Sequence, residues 1–259
     1  ALCKQLAAST QASSWAAVVA VAATRRESMT RLPLFALEVA LVLVHTQAAQ
    51  ASPPVLRLLT TALQAGQPLH SGPWGLGRSA RSEALLPVQC VDGALTPALS
   101  QVGARMEPEA MLLPSTLLVA RLARARHTAH STIVPVASAH LVTGGTGGLG
   151  LLTARWLAEH RDACVLVLAS RSGQIAHDST AEWAGVLATD ASTVVRRCDT
   201  AQGTQLQTLT LRVTGDARRL GVWHAAGVLA DGLLPTHTGE SLARVYAPKA
   251  HGSWALHRA

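Results

Sequence analysis

Aromatic side chains are scarce in this chain of 259 residues, which holds six Trp, one Tyr and one Phe. Proteins that bind single-stranded nucleic acid place stacking aromatics among basic residues, and no basic run here has that pattern. The net charge of +7 comes mostly from scattered arginines. In the densest cluster, Arg121 to Arg126, they alternate with Leu and Ala, which predicts a solvated helix face. We therefore expect no nucleic acid among the partners.

Cysteine is also rare, and its spacing indicates neither a metal site nor a redox pair. The chain has no CxxC, and two of the four cysteines lie in apolar, strand-like runs, which predicts buried reduced thiols. The four are Cys3, Cys90, Cys164 and Cys198. His127 and His130 form an HxxH pair without an evident third ligand, so a surface or helix-end role is favoured over zinc. We predict no metal.

Long hydrophobic runs and a leader sequence are missing as well. The longest apolar run, Leu32 to His45, contains Pro33 and Glu38 and is shorter than the roughly 20 residues that cross a bilayer. We therefore expect a soluble chain without a membrane span. The chain begins without Met or a signal-peptide pattern and ends abruptly, which predicts a piece of a longer polypeptide.

What is present is a hydrophobic content of 49%, enough for a real core. In the first half, the apolar runs 16–23 and 38–46 predict buried strands. Residues 53–66 predict a helix between a proline start and a glycine stop, whereas 72–77 predict a break in regular structure. Residues 88–93 predict a further strand. This half is expected to be α/β, without a visible catalytic group.

The second half has a clearer pattern. Turn formers between His127 and Ser138 predict a boundary, so we divide the chain into domains 1–135 and 136–259. Beyond that boundary the runs alternate as β-α-β-α-β-α-β, which predicts a Rossmann-like parallel sheet with flanking helices.

The most informative segment is TGGTGGLG, which satisfies GxGxxG directly after a strand and at the start of a helix. Glycines in this context permit a tight turn and a close backbone approach to a diphosphate, and the helix N-terminus contributes free N–H groups. We therefore predict a nucleotide-binding turn. Its residues are Thr143, Gly144, Gly145, Thr146, Gly147, Gly148, Leu149 and Gly150.

The ends of the next two strands indicate which nucleotide. The second strand ends in Ser170, Arg171 and Ser172, where the ribose 2′-position is normally read. An arginine there offers a bidentate contact to a 2′-phosphate, so NADP(H) is favoured over NAD(H). The third strand ends at Cys198 and Asp199, whose carboxylate could accept a hydrogen bond from adenine. A helix-capping role for Asp199, together with the following threonine, fits equally well.

The fourth strand ends in the small residues of HAAG, which let the backbone pass close to a ligand. They are His224, Ala225, Ala226 and Gly227. Because His224 stands at a strand end beside an expected nicotinamide ribose, packing or hydrogen bonding is favoured over proton transfer.

Together these motifs resemble the ketoreductase domains of modular polyketide synthases, members of the short-chain dehydrogenase/reductase superfamily. TGGTGGLG, SRSG, CD, HAAGVLADGLL and APKAHGSWALH occur in the family's order, and they cover essentially all of residues 140–259. WGLGR, in the first half, resembles part of the family's structural subdomain. The resemblance implies that residues 1–135 form a truncated Rossmann-like subdomain that precedes the NADPH-binding subdomain.

The resemblance also implies roles for individual residues. Gly144 to Gly150 would bind the diphosphate, Arg171 the 2′-phosphate, and Asp199 with Cys198 the adenine edge. The nicotinamide-side ribose would lie against Ala225 to Gly227. Lys249 matches the catalytic lysine, which lowers the pKa of the family's tyrosine.

The same resemblance places the catalytic serine and tyrosine after residue 259, so we expect this chain to be inactive alone and to expose a sheet edge. Tyr246 lies where the family has an aliphatic residue, which favours core packing for its ring. Asp231 matches the aspartate of the family's LxD motif and suggests a D-configured 3-hydroxyl product, although Ala230 stands where another aspartate is common.

The leading hypothesis is NADPH-dependent reduction of a β-ketoacyl chain to β-hydroxyacyl on an acyl carrier protein, in the cytoplasm, beside neighbouring synthase domains. One alternative is a non-catalytic scaffold, or a degenerate module that binds NADPH without turnover. Another is the ketoreductase of a multifunctional fatty acid synthase, which shares these motifs.

Overall fold

A computed structural model describes residues 17–21, 32–60, 71–93, 107–113, 116–124, 137, 139–160, 165–216 and 219–259. The chain divides into two compact units. The first comprises Ala1–His127 and Asp231–Ala243, and the second comprises Thr128–Ala230 and Arg244–Ala259. The predicted boundary region between His127 and Ser138 lies outside the described residues, apart from Ala137.

The first unit is built on a five-stranded sheet in the order β1-β2-β3-β4-β5. The strands pair in parallel, except that β4 and β5 are antiparallel. Its elements are β1 (Ala17–Val21), α1 (Leu32–Ala48), β2 (Val55–Thr60), α2 (Ser71–Ala84), β3 (Val88–Gly93), β4 (Glu109–Leu112) and β5 (Leu117–Leu118). The strands predicted near residues 16–23 and 88–93 are confirmed.

The strand predicted over 38–46 is wrong, because this run lies inside helix α1. Four residues of α1 at helical spacing, Leu37, Ala40, Leu41 and Val44, are at most 8% exposed. A short continuous apolar run does not distinguish a buried helix from a buried strand. Pro33 is tolerated in the first turn of α1, where a missing N–H costs no intrahelical bond.

The helix predicted from residue 53 is also wrong where the structure describes it, because Val55–Thr60 form β2. This strand pairs on both sides, with β1 and with β3, so its backbone hydrogen bonds are made to neighbours distant in sequence. The side chain of Arg57 extends this pairing through an Nε bond to Gln89 Oε1 of 2.7 Å. Residues 61–66 of the predicted helix lie outside the described part of the chain.

The break predicted at 72–77 is wrong as well, since these residues lie in α2. Gly77 faces the sheet, and a Cβ at this position would lie 2.6 Å from Cys90 Sγ and 3.4 Å from Val88 Cγ1. Glycine here serves the close packing of α2 on β3. In contrast, the helix face predicted for the basic cluster is absent from 121–124, which have no regular structure. Arg121 Nη2 instead pairs with Glu107 at 2.5 Å.

The second unit contains a four-stranded parallel sheet in the order β8-β7-β6-β9, with helices between the strands, which confirms the predicted α/β alternation. Its strands are β6 (Ala139–Thr143), β7 (Val165–Ser170), β8 (Ser192–Arg197) and β9 (Leu220–His224). The helices of this unit are α3 (Gly148–His160), α4 (Thr180–Leu187), α5 (Gly203–Asp216) and α7 (Gly252–Arg258), with a π-helical turn at Ala247–His251. Helix α6 (Gly239–Tyr246) begins in the stretch that groups with the first unit and ends in the second.

The two central strands of this sheet, β6 and β7, are covered on both faces, which explains why they read as continuous apolar runs. On one face, Val142, Leu166 and Leu168 pack against residues of α3 and α4. On the other face, Leu141 and Val167 pack with Cys198 and residues of α5. Because the four strands are parallel, the carboxyl ends of β6, β7, β8 and β9 lie at the same edge of the sheet. The segments predicted to contact the nucleotide follow these strand ends.

The predicted division places residues 231–243 in the domain 136–259, whereas in the structure they group with the first unit. Leu234, in the 3-10 turn Leu234–Thr236, is 2% exposed and belongs to the core between α1, α2 and the first sheet. Its N–H donates to Glu83 Oε1 at 2.5 Å, and its carbonyl accepts from His45 Nε2 at 2.8 Å. These partners lie 151 and 189 residues away, so no local pattern reveals them.

Candidate nucleotide site

Three glycines of the predicted turn, Gly144, Gly145 and Gly150, are required by the fold itself, and a Cβ on Gly150 would overlap the carbonyl oxygen of Gly144. Gly144 has a φ of +68°, and a Cβ there would lie 2.7 Å from the carbonyl oxygen of Ala225. A Cβ on Gly145 would lie 2.6 Å from the carbonyl oxygen of Val142. Gly144 and Gly145 therefore need to be glycine, because a backbone carbonyl lies where the Cβ of any other residue would be.

Two other glycines of the turn face open space. A Cβ on Gly148 would meet nothing within 4 Å, and one on Gly147 would meet only the Gly144 carbonyl, at 3.8 Å. The bond from Leu151 N–H to Gly147 O, 2.9 Å, opens helix α3, so the N–H groups of 148–150 have no intrahelical acceptor. Internal packing therefore does not explain the glycine at these two positions.

The two threonines of the turn are buried and act as supports. Thr143 is 0% exposed, and its hydroxyl lies 2.6 Å from His224 Nδ1. Thr146 is 5% exposed, and its carbonyl accepts the N–H of Ala176 at 3.1 Å. The second bond ties the loop after β7 to the glycine turn. In contrast, Leu149 is 77% exposed at the start of α3.

His224 is hydrogen-bonded through both ring nitrogens. Its Nε2 donates to the carbonyl of Pro248 at 2.9 Å, so in the neutral ring Nδ1 accepts from the Thr143 hydroxyl. Burial is the main cause of a lowered pKa for His224, with a smaller contribution from the positive charge of Lys249. The ring therefore favours the neutral form and bridges β6, β9 and the segment that carries Lys249.

The turn after β7 exposes Arg171. Ser170 Oγ accepts the N–H of Gly173 at 3.0 Å, and Ser172 Oγ accepts the N–H of Gln174 at 3.2 Å. The two serine hydroxyls thus stabilise the backbone of the turn that carries Arg171. Arg171 is exposed and makes no hydrogen bond or ion pair with any other residue that the structure describes.

Cys198 and Asp199 occupy different environments. Cys198 is 2% exposed, and burial raises the pKa of its thiol, so the side chain is part of the core around α5. Its backbone N–H donates to Ser170 O at 2.8 Å. Asp199 is half-buried, and its Oδ1 accepts the N–H of Ala201 at 3.0 Å, which closes a turn ahead of α5. Because α5 begins at Gly203, Asp199 does not cap that helix.

At the end of β9, Ala225 is held by its N–H, which donates to Thr143 O at 3.0 Å. The backbone then passes Lys249: a Cβ on Gly227 would lie 3.0 Å from Lys249 Cε and 3.4 Å from Lys249 Nζ. The ammonium group of Lys249 is therefore adjacent to the loop predicted to contact the nicotinamide ribose. Tyr246 is half-buried, with burial raising its pKa, and its ring meets that of His251 edge-on at 5.2 Å.

The predicted site residues divide between the two units. Most of the predicted site residues belong to the second unit, and those at the strand ends share one edge of its sheet. They are the glycine turn, Arg171, Asp199, Ala225–Gly227 and Lys249. Asp231 is exposed and groups with the first unit.

Arg197 also lies at this edge of the sheet, although the sequence motifs did not single it out. It ends β8 in register with Ser170 and is exposed. In the Rossmann pattern the residue that reads the ribose 2′-position follows the second strand, so the sequence predicts only Cys198 and Asp199 as contacts at the end of the third. The doublet Arg196-Arg197 directly before these residues was the available signal.

A separate cleft of about 560 Å³ lies along α3 and β9, lined by Leu152, Thr153, Arg155, Trp156, Glu159 and Trp223. The two charged residues of the cleft, Arg155 and Glu159, form an ion pair with each other at 2.7 Å, so neither charge is left without a partner to bind a ligand. Among the described residues, no three His, Cys, Asp or Glu side chains are grouped to hold a metal ion, and His127 and His130 lie outside them. No helix in the described ranges is long and apolar enough to cross a membrane.

Comparison with known proteins agrees with this architecture. The family model of the KR domain matches residues 138–259. Polyketide synthase GfsA of Streptomyces halstedii is 36% identical over 185 residues, 71% of this chain and 2% of the relative. The spectinabilin polyketide synthase system protein NorA of Streptomyces orinoci is 34% identical over 197 residues, 74% of this chain and 10% of the relative.

Solved structures of ketoreductases share the fold across both units. A structure of A-type ketoreductases from a modular polyketide synthase superposes with a TM-score of 0.79 at 27% identity, covering 99% of this chain. An A1-type ketoreductase gives a TM-score of 0.76 at 27% identity. The chain spans 58% of the length of each of these two structures. It therefore belongs to the family of polyketide synthase ketoreductase domains, within the short-chain dehydrogenase/reductase superfamily.

Proposed function

We propose that this chain is the NADPH-binding portion of a ketoreductase that reduces a β-ketoacyl group on an acyl carrier protein to β-hydroxyacyl. The observation that carries the proposal is the open space in front of Gly147 and Gly148. Packing does not require glycine at either position, and the first N–H groups of α3, which begins at Gly148, have no intrahelical acceptors. Such an arrangement suits a diphosphate.

The surrounding residues fit the rest of the cofactor. Arg171 offers an exposed guanidinium with no partner in the described ranges, which suits a 2′-phosphate. Asp199 uses Oδ1 within its own turn, which leaves the other carboxylate oxygen for the adenine amine. The Ala225–Gly227 backbone provides a close, flat approach for the nicotinamide ribose. When bound, NADPH supplies the hydride that adds to the β-carbonyl carbon.

Lys249 supports a role in proton supply. Its Nζ lies beside Gly227, at the edge where the nicotinamide would be held, and an ammonium there stabilises a neighbouring phenolate and lowers the pKa of a phenol. The family resemblance assigns that phenol to a tyrosine after residue 259, and a serine would orient the substrate carbonyl. We therefore expect reduction only in a polypeptide that supplies both residues, together with the carrier protein.

Asp231 supports a D-configured product through its likeness to the family's LxD motif. Chiral analysis of the 3-hydroxyacyl product formed by such a polypeptide tests this assignment, and an L-configured product would contradict it.

The proposal is tested first by binding. Titration of the purified chain, followed by nucleotide fluorescence, should give saturable NADPH binding that is tighter than NADH binding. Arg171→Ala should weaken NADPH binding about tenfold and leave NADH unchanged, because one charge-assisted contact is lost. Arg212→Ala, an exposed arginine on α5, is the matched control. A folded chain that binds neither nucleotide would favour the non-catalytic scaffold.

A further inference from the structure

We propose that Arg197 is a second specificity-determining residue of the nucleotide site, which binds the 2′-phosphate of NADPH together with Arg171. This inference rests on the proposed function, because it assigns a further residue to the same nucleotide. It extends that function by making cofactor choice depend on the ends of two strands, β7 and β8.

The sheet register brings the two arginines to the same place. Ser170 and Arg197 are paired as the last residues of β7 and β8, and Arg171 follows Ser170 directly. The N–H of Cys198 donates to Ser170 O at 2.8 Å, so the strands remain joined just past Arg197. The backbone of Arg197 therefore lies at the base of the turn that carries Arg171.

The turn also folds onto Arg197. Gly173 has a φ of +68°, and a Cβ at this position would lie 3.0 Å from Arg197 Cβ and 3.3 Å from Arg197 Cα. The first atom of the Arg197 side chain is thus in contact range of the Ser170–Gly173 turn. The same loop is bound to the glycine turn through Ala176 N–H and Thr146 O, at 3.1 Å. The loop that follows Arg171 is therefore tied to the glycine turn, which the proposed function assigns to the diphosphate.

Strand alternation selects Arg197 over its neighbour. Cys198 is buried against α5, so Arg197 starts on the opposite face of β8, the side of α3 and α4 where Val195 packs. Arg196 lies on the other face, and its Nη1 bonds to the carbonyl of Val195 at 3.3 Å. Arg196 and Arg197 are adjacent and both exposed, but only Arg197 lies on the same face of β8 as Val195. Arg196 is therefore a matched control for Arg197.

Charge supports a dianionic ligand. Arg171 and Arg197 are both exposed, and neither forms an ion pair with another residue in the described ranges. A phosphate monoester carries a charge of about −1.5 to −2 near pH 7, which one guanidinium balances only in part. A 2′-phosphate that both guanidinium groups contact would have its charge balanced more completely, whereas the free 2′-hydroxyl of NADH offers no charge to balance.

The experiment titrates the full chain with NADPH and with NADH, using wild type, Arg197→Ala, Arg171→Ala and the control Arg196→Ala. We expect Arg197→Ala to weaken NADPH binding about tenfold, as loss of a guanidinium–phosphate contact does, and to change NADH binding by less than about twofold. Arg196→Ala should leave both affinities within about twofold. The NADPH affinity of Arg197→Ala should also fall less steeply with added NaCl, because one screened attraction is gone.

The outcomes separate this inference from the proposed function. If Arg171→Ala weakens NADPH binding and Arg197→Ala does not, the role of Arg197 is overturned while the nucleotide site stands. Equal losses for NADPH and NADH would assign Arg197 a structural role and also overturn the inference. Arg197→Gln, which keeps most of the side-chain stem, is the second variant should the alanine variant lose its folded circular dichroism. Wild type that binds neither nucleotide would overturn both proposals.

Discussion

At the scale of single residues, the glycines of the turn have two different roles that mutation can separate. Gly144→Ala should lower the free energy of unfolding by about 2–4 kcal/mol, because alanine is strained at a φ of +68° and its Cβ would meet the Ala225 carbonyl. Gly148→Ala has open space, so stability should hold or rise by up to about 1 kcal/mol, while NADPH binding weakens about tenfold. Urea unfolding and NADPH titration measure the two effects. Undiminished NADPH affinity in Gly148→Ala would argue against a diphosphate at this position.

His224 predicts a pH dependence of stability at the same scale. Because burial lowers the pKa of His224, the unfolded chain takes up a proton at a higher pH than the folded chain does. The folded state should therefore lose stability as the pH falls below about 6.5, the ordinary histidine value, and down through the lowered pKa. His224→Asn should flatten this decline in urea midpoints between about pH 8 and 5.

The control for His224 is His177→Asn, which removes an exposed histidine and should leave the decline unchanged. An identical pH slope in wild type and His224→Asn would show that other groups are responsible for the acid sensitivity.

At the scale of elements, α2 shows how packing against the sheet overrides the ordinary breaking tendency of glycine. Gly77→Ala should lower the free energy of unfolding by about 1–3 kcal/mol despite the higher helix propensity of alanine, since its Cβ would overlap Cys90 Sγ. Gly75→Ala, on the same helix with nothing within 4 Å, should raise it by about 0.5–1 kcal/mol. Urea unfolding of the two variants checks this contrast, and equal effects would contradict it.

The elements also show which predictions from sequence succeed. The alternation in residues 139–224 was predictable because its strands are short, the first two are apolar runs, and helices of different periodicity separate them. Helix α1 was mistaken for a strand because its residues are apolar on several faces. Strand β2 was mistaken for a helix because two prolines before it resemble a helix start, whereas pairing with β1 and β3 decides its state.

At the scale of the whole molecule, the grouping of chain segments does not follow their order in the sequence. Residues 231–243 group with the first unit because Leu234 is buried in its core and bonded by Glu83 and His45. These contacts join residues far apart in the chain, so the linear division at residue 135 did not contain them. A stretch of only 13 residues thus belongs to the core of a unit formed mainly by residues before 128.

The sequence by itself determined the family, the glycine-rich turn, the parallel alternation of the second half and the arginine at the end of β7. Each of these depends on neighbouring residues, because a tight turn and a strand end impose their requirements locally. Only the tertiary structure decided that Thr143 is a buried support, that His224 bridges to Pro248, and that Arg197 lies beneath the turn of Arg171. Those placements depend on strand register and on packing between distant segments, which local residue patterns do not encode.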